Sequence, residues 1–522
     1  MIDRSQVIII GAGHNGLVCA AYLARAGREV LVLEASDRVG GAAITREFAP
    51  GYRVSACAHV CYQLDARISR ELRLETHGLK TAHANLRTVA LATEGDHLVL
   101  NGGLLEAGLL PDVDRAALAD YHASMLRFAR VLGKQHNRRP PRIAGGGRSE
   151  VIAAAMLGLD IRRLGRDAMR EFLRIAGINI FDVLEETFET PLLKGALALD
   201  AVLGTNLGPR SNNSVLTLLH RLSGRAMGVV GGLSLPEGGM GAVSEALAAA
   251  ARESGATIRT SSPVARITQE GDRVSGVELE SGEMQKAGTV ISNADPARTL
   301  LQLLGARHLE TGFVHRVRHF RSKGMAAKLH LALDGLPTFT RLSALRAGER
   351  LVIAPDAGYI ERAFDHAKYG ECSPDPVLEI TIPSIHDRTL APPGRQVLSA
   401  IVQYAPFDPR ASSDSARAGF LERTLGVLER YAPKLRGQIV ASEMLLPADI
   451  EREFRITGGH WHHGELALDQ FLMLRPVPGA AQYAMPVNGL FLCGAGCHPG
   501  GGVMGSAGRN AARAVLGAER AA

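Results

Sequence analysis

Cysteine and tryptophan are scarce in this chain, and neither sign of charge is in large surplus. Six cysteines (Cys19, Cys57, Cys61, Cys372, Cys493 and Cys497) in 522 residues cannot make a disulfide scaffold, which points to a reducing compartment. Lys and Arg total 59 against 53 Asp and Glu, a net charge of +6; that is no basis for a nucleic-acid partner, and none is expected. Long apolar runs are missing too. Nothing approaches the roughly 18 residues of a membrane span: Arg25 and Arg28 interrupt the first apolar region, and Asp160 and Arg162 interrupt Val151 to Leu164. Val7 to Ile10 is too short for a secretory signal and runs straight into glycines. The expected location is cytoplasmic, at most peripheral to a membrane. Basic residues bunch at Arg138, Arg139 and Arg142, and from Arg316 through Arg318 and Arg321 to Lys323. Such patches suit an anionic surface, but a charge run is more often a solvated face.

What remains is an ordinary globular composition, 46% hydrophobic and 21% charged, with 58 glycines. The glycines are placed where they inform. Val7-Ile-Ile-Ile10 reads as a strand buried on both faces. Gly11-Ala-Gly13-His-Asn-Gly16 follows, then helical spacing from Leu17 to Ala26 with Gly27 as the stop, then a second strand, Glu29 to Leu33, ending in Glu34. From about Leu86 to Gly232, alanine- and leucine-rich stretches read as helices. Leu235 to Gly241 is a glycine-rich turn and Ala242 to Glu253 an amphipathic helix. Thr257 to Ile267, Val274 to Leu279 and Thr289 to Ser292 read as strands. Near the end, Gly489 to Gly494 reads as another buried strand, with a glycine loop to Gly502 and a helix from Val503 to Leu516.

The opening unit carries chemistry. Gly11 permits the tight strand-to-helix turn, Gly13 lets backbone approach a pyrophosphate, and Gly16 lets helix and strand pack closely. The phosphates would sit on the helix N-terminus, where free N–H groups and the dipole favour negative charge. Glu34, 23 positions after Gly11, stands where a carboxylate accepts the adenosine ribose hydroxyls. Arg38-Val-Gly40-Gly41 comes directly after; a second glycine pair beside a guanidinium suits a longer ligand such as FAD. The closing glycine block, Cys493 to Gly502, can face a second part of the same cofactor. No second G-x-G-x-x-G with its own acid is present to make a separate NAD domain.

The opening block resembles the large flavoprotein group that includes amine oxidases and phytoene desaturases. Pro236-Glu-Gly-Gly-Met240, His463-Gly-Glu465, Asp469-Gln470 and Arg475-Pro476, with the GAGHNGL opening and HPGGGVMGSAGRNAA ending, resemble its phytoene-desaturase-like subgroup named for a pyridine nucleotide-disulfide oxidoreductase domain. The likeness covers nearly the whole chain. It implies non-covalent FAD contacted by Gly11, Gly13, Gly16, Glu34, Ala35, Arg38, Gly40, Gly41, Val264, Gly494, Gly502, Val503 and Met504, with the final loop and helix, Gly502 to Gly505, reaching the flavin ring. It does not make the chain a disulfide reductase. Cys57 and Cys61, like Cys493 and Cys497, are separated by three residues, which matches neither a dithiol nor a structural-zinc spacing; free cysteines are mostly small buried hydrophobes.

The catalytic residues are not identified by any motif. His460-Trp-His462-His463-Gly-Glu465 is the densest titratable cluster, either a cavity lining that supplies a base or a polar loop packed under the flavin. It lacks the H-E-x-x-H of a zinc site, and no metal is expected. His463, Glu465 and His498 are the candidates. The expected fold is α/β: a discontinuous Rossmann-like FAD-binding domain from 1–85, 233–297 and 480–522, with an inserted helical and mixed α+β substrate domain from 86–232 and 298–479. The expected function is FAD-dependent desaturation or oxidation of a hydrophobic small molecule. The alternatives are a flavin amine oxidase, which the 5% aromatic content counts modestly against, and a flavin-stabilised interaction protein with little turnover.

Overall fold

The computed structural model describes residues 6–142, 147–226, 229–411 and 413–521. Its first layer is a parallel five-stranded sheet in the order 257–259, 29–33, 6–10, 289–292 and 490–492. Parallel strands covered on both faces must be apolar throughout, and Ile8, Ile9, Val290 and Ile291 are fully buried. Strands far apart in sequence thus share one sheet. Helices His14–Arg25, Gly241–Glu253 and Ser506–Ala521 pack together beside it. Gly16 is obligatory there: a Cβ would lie 2.3 Å from the Gly11 carbonyl oxygen.

The stretch Thr257 to Ile267 is two strands, Thr257–Arg259 and Val264–Glu270, in different sheets. Ser261 at φ 48° and Pro263 lie between them; proline has no N–H for a ladder. Val264–Glu270 pairs with Arg273–Leu279 across a turn at Gly271–Asp272.

The second layer is an eight-stranded sheet in the order 439–445, 326–333, 396–403, 377–381, 350–353, 88–90, 98–101 and 104–107. Its last three strands correct the reading of Leu86 to Gly232 as helical. Thr88–Ala90, Leu98–Asn101 and Leu104–Ala107 are short hairpin strands joined by turns at Gly95 and Gly102–Gly103, and helices begin only at Asp112–Gln135. Sheet pairing outweighs the helix propensity of their Ala and Leu. Helices Asp112–Gln135 and Pro191–Val202 contact this sheet at strands 104–107 and 88–90, and Ser214–Leu222 packs on both helices. No helix among the described residues is long and apolar enough to cross a membrane.

The closing helix begins at Ser506, not near Val503. Gly502 (φ 134°), Val503 (φ 55°) and Gly505 (φ 78°) have left-handed backbones that no right-handed helix admits.

Candidate functional site

One cavity of about 400 Å³ runs from the parallel sheet to the large sheet. At its first end the turn after the first strand is built as its glycines require. Gly11 has φ 92° and donates its N–H to Leu33 O at 2.8 Å. Gly40 N–H donates to Ala12 O at 2.9 Å, tying the second glycine pair to the first. Gly13 is the N-cap of helix His14–Arg25, so the helix's free N–H groups open into this end. Glu34 is buried, and both its oxygens are used: Oε2 accepts from Ala12 N at 2.6 Å and Oε1 from Ser36 N at 2.9 Å. Each oxygen keeps a second lone pair for a ligand hydroxyl.

Gly11, Gly13, Glu34, Ala35, Arg38, Gly40, Gly41, Val264, Gly502 and Val503 all line this cavity. Gly16, Gly494 and Met504 do not. Gly16 serves helix–strand packing, and Gly494 serves another close approach, since a Cβ there would lie 2.4 Å from Asn293 O. Met504 is buried and its carbonyl accepts from Asp65 N at 3.1 Å. Because the closing helix starts three residues later, loop backbone at Gly502 and Val503, rather than a helix N-terminus, faces the cavity. His14 Nε2 and both polar atoms of the Asn15 side chain are buried without a partner among the described residues, and both residues line the cavity.

The other end is polar in a way no motif of the sequence signals. His59, Tyr62, Arg221 and Glu379 line it, with Leu203, Ile401 and Trp461 beside them. Behind His59, the buried Lys328 Nζ lies 2.5 Å from His59 Nδ1. Burial depresses the Lys328 ammonium to about 7, partly offset by Cys57 and Glu379. The same burial, with Lys328, Arg350 and Arg221 nearby, pushes His59 well below its ordinary value. Glu379 Oε2 accepts from Arg350 Nη2 at 2.6 Å and Arg221 Nη2 at 3.0 Å, and both guanidiniums also reach Asp200. Burial raises the Glu379 carboxyl, but the two arginines outweigh it and hold it below the usual range. Its other oxygen, Oε1, is buried with no hydrogen-bond partner among the described residues; His59 Nε2 is 4.0 Å away.

Of the three catalytic candidates, only His463 reaches the cavity. It has φ 55°, its Nδ1 is unpartnered among the described residues, and burial lowers it to about 4 despite the opposing pull of Asp295. Glu465 is a packing group: it accepts from Asn206 N at 2.8 Å and lies 3.4 Å from His460 Nε2. His498 faces away from the cavity, its Nε2 2.9 Å from Gln135 O. The loop holding the first two is pinned by buried Arg475, which donates to carbonyls of His462, Gly464, Glu465, Gln470 and Ala495. The cysteines are all free. Cys57 lines the cavity, but burial pushes its thiol up to about 12 and that of Cys61 up to about 11, far from the thiolate that redox exchange needs.

The family model described as flavin containing amine oxidoreductase matches residues 16–516. The pyridine nucleotide-disulfide oxidoreductase domain-containing protein 2 of Mus musculus is 33% identical over 545 residues, covering 98% of this chain and 93% of its own length. A phytoene desaturase (lycopene-forming) of Pseudescherichia vulneris is 27% identical, with 96% of each chain covered. Among solved structures, a putrescine oxidase bound to putrescine superposes with a TM-score of 0.61 over 99% of both chains at 16% identity, a likeness of fold.

Proposed function

This chain is an FAD-dependent oxidoreductase of the flavin-containing amine oxidoreductase family, and from that premise we propose that it oxidises a hydrophobic small molecule, in the manner of a desaturase. One observation carries the reading. A single cavity joins a dinucleotide-type turn to a substrate end walled by Leu203, Ile401 and Trp461, with a buried lysine–histidine pair at its margin. The likeness to a phytoene desaturase supports the desaturation form of it.

The residues fit the cofactor. The unpartnered polar atoms of His14 and Asn15 call for a ligand, and a Cβ at Gly13 would stand 2.5 Å from Asn293 Nδ2, closing the cradle. In this reading the backbone at Gly13 to Asn15, with Arg38, Gly40 and Gly41, holds the pyrophosphate. Glu34 takes the ribose, Ala35 and Val264 border the adenine, and Gly502, Val503 and His463 border the ring. We assign the nucleotide-binding part to 1–85, 233–297 and 480–522 and the substrate part to 86–232 and 298–479; of these, 1–5, 143–146, 227, 228, 412 and 522 lie outside the described residues. The bound flavin supplies the two-electron acceptor. The chain's own work is to position the substrate, exclude water, and take a proton on Lys328 Nζ, which burial holds near 7 and so keeps a base near neutrality; His59, which burial keeps neutral, stands between that amine and the cavity.

A second reading, amine oxidation, is favoured by Glu379. Its unpartnered Oε1 would gain a donor from a protonated amine and none from a polyene.

Leu203→Trp, which fills the substrate end, tests the assignment of that end. The variant should keep bound FAD and lose substrate-dependent flavin reduction. Undiminished reduction with the flavin retained would place the substrate elsewhere.

A further inference from the structure

Four members of the basic clusters that stand out in the sequence are spent on ion pairs. Arg138 pairs with Asp160 at 2.6 Å, Arg139 with Glu150 at 2.8 Å, Arg321 with Asp469 at 2.6 Å and Lys323 with Asp408 at 2.6 Å. Unspent positive charge lies on the consecutive helices Arg148–Arg162 and Arg166–Ile175. Arg148, Arg162, Arg166 and Arg170 are exposed and pair with no described residue. Arg163 reaches only Asp160, at 3.9 Å, which Lys134 and Arg138 already hold at 3.0 and 2.6 Å.

Between these arginines the first helix exposes an apolar stripe. Val151, Ile152, Met156 and Leu159 are 67%, 59%, 43% and 45% accessible, and Leu173 on the second helix is 59% accessible. Positions 148, 152, 156, 159 and 163 follow i, i+4, i+8, i+11, i+15, one face of a helix. That face therefore reads arginine, three apolar side chains, arginine. Glu150, Asp160 and Phe172 turn inward and are buried, so the helices are seated on the body with the apolar stripe outward. Contiguous exposed apolar surface of this kind marks a contact.

We propose that this face docks the protein on an anionic lipid surface. The apolar stripe enters the boundary between headgroups and acyl chains, as in helices that lie in the interface plane, while the arginines at both ends keep their guanidiniums among the phosphates. The charge decides the occupant. A second copy paired through the same patch would bring these arginines together, with exposed Asp167 as the chief opposing charge, since Glu171 is engaged by Arg174 at 2.8 Å. Nucleic acid would match the arginines but leave Ile152, Met156 and Leu159 without a partner. The proposal is independent of which substrate the cavity takes.

Co-sedimentation of the FAD-loaded full chain with vesicles tests it. The protein should pellet with phosphatidylcholine vesicles containing phosphatidylglycerol, stay in solution with phosphatidylcholine alone, and leave the vesicles as salt is raised. Arg162→Gln/Arg166→Gln should weaken partitioning about 30-fold, from roughly fivefold per arginine near a charged surface. Ile152→Ser/Leu159→Ser should weaken it by about tenfold or more. All four sites are exposed, so the bound-flavin spectrum of each variant should match the parent. Failure to pellet with the anionic vesicles, or equal pelleting by parent and both variants, overturns the proposal. So does a dimer in solution that Ile152→Ser/Leu159→Ser splits, which would give the face to a second copy.

Discussion

Replacing Glu34 by alanine removes two interactions at once, and they can be measured apart. In the free protein the carboxylate holds the N–H groups of Ala12 and Ser36 at 2.6 and 2.9 Å. A buried donor left without a partner costs about 1–3 kcal/mol; Ala12 is fully buried whereas Ser36 is exposed and its N–H can turn to water, so the apoprotein should lose roughly 1–3 kcal/mol, less where water enters the vacated space. The ribose contact is a separate loss. A hydrogen bond to a charged acceptor contributes about 1.5–3 kcal/mol, so FAD should bind roughly ten- to a hundredfold more weakly. Glu34→Gln keeps one acceptor oxygen and should fall between parent and alanine variant on both scales. Thermal unfolding of the apoproteins gives the first quantity, and fluorescence titration with FAD the second. ADP, which carries the adenosine half alone, should lose affinity by the same factor as FAD. An alanine variant with a lowered melting temperature but unchanged FAD and ADP affinity would refute the reasoning, because Glu34 would then be a clamp on the turn and nothing more.

Heat or acid should release FAD rather than FMN from the purified protein, since Glu34 and the Gly11–Gly16 turn address an adenosine half that FMN lacks; FMN in the extract would contradict this. Cys57→Ser/Cys61→Ser should leave flavin reduction by substrate intact, because neither thiol is near its thiolate form, whereas a stall before reoxidation in rapid-mixing traces would establish a thiol relay. Lys328 gives a pH signature. Folding depresses it to about 7, while the unfolded chain keeps that proton to about 10.4, so between these values the unfolded state binds more protons and stability rises with pH. Lys328→Met lacks that rise: its stability relative to the parent should be greatest below about pH 7 and diminish toward about pH 10, and a pH-independent difference in melting temperature would show that Lys328 is not buried as a depressed base.

The end of the cavity proposed for the nucleotide takes its shape from parts that lie within the first 41 residues: strand, glycine turn, helix, second strand, acid and second glycine pair. Short-range geometry dictates each of them, as Glu34 reaching back to Ala12 N shows. The end proposed for the substrate had no such local pattern. His59, Arg221, Lys328, Arg350 and Glu379 come from five distant segments and meet only through the pairing of the large sheet and the helix laid over it. The local signals were Lys328, Arg350 and Glu379, charges within the fully buried strands Ala326–Leu333, Arg350–Ile353 and Val377–Thr381; such anomalies call for partners. The closing helix was read too early because Val503 and Met504 continue its apolar pattern, whereas Gly502 and Gly505 set the left-handed backbone that delays it. His498 is a candidate in the sequence, where it sits in the glycine loop, but its side chain turns to Gln135 O.

The central claim is that the end of the cavity bounded by Leu203, Ile401 and Trp461 presents a hydrophobic substrate to the flavin. Anaerobic mixing of the FAD-loaded protein with polyenes, retinoids and amines, followed by absorbance of the oxidised flavin, tests it most directly. The account predicts bleaching by at least one of the polyenes or retinoids. Bleaching by amines alone would transfer the site to the reading built on Glu379, and a flavin that stays oxidised with every member of the panel would contradict the claim of turnover.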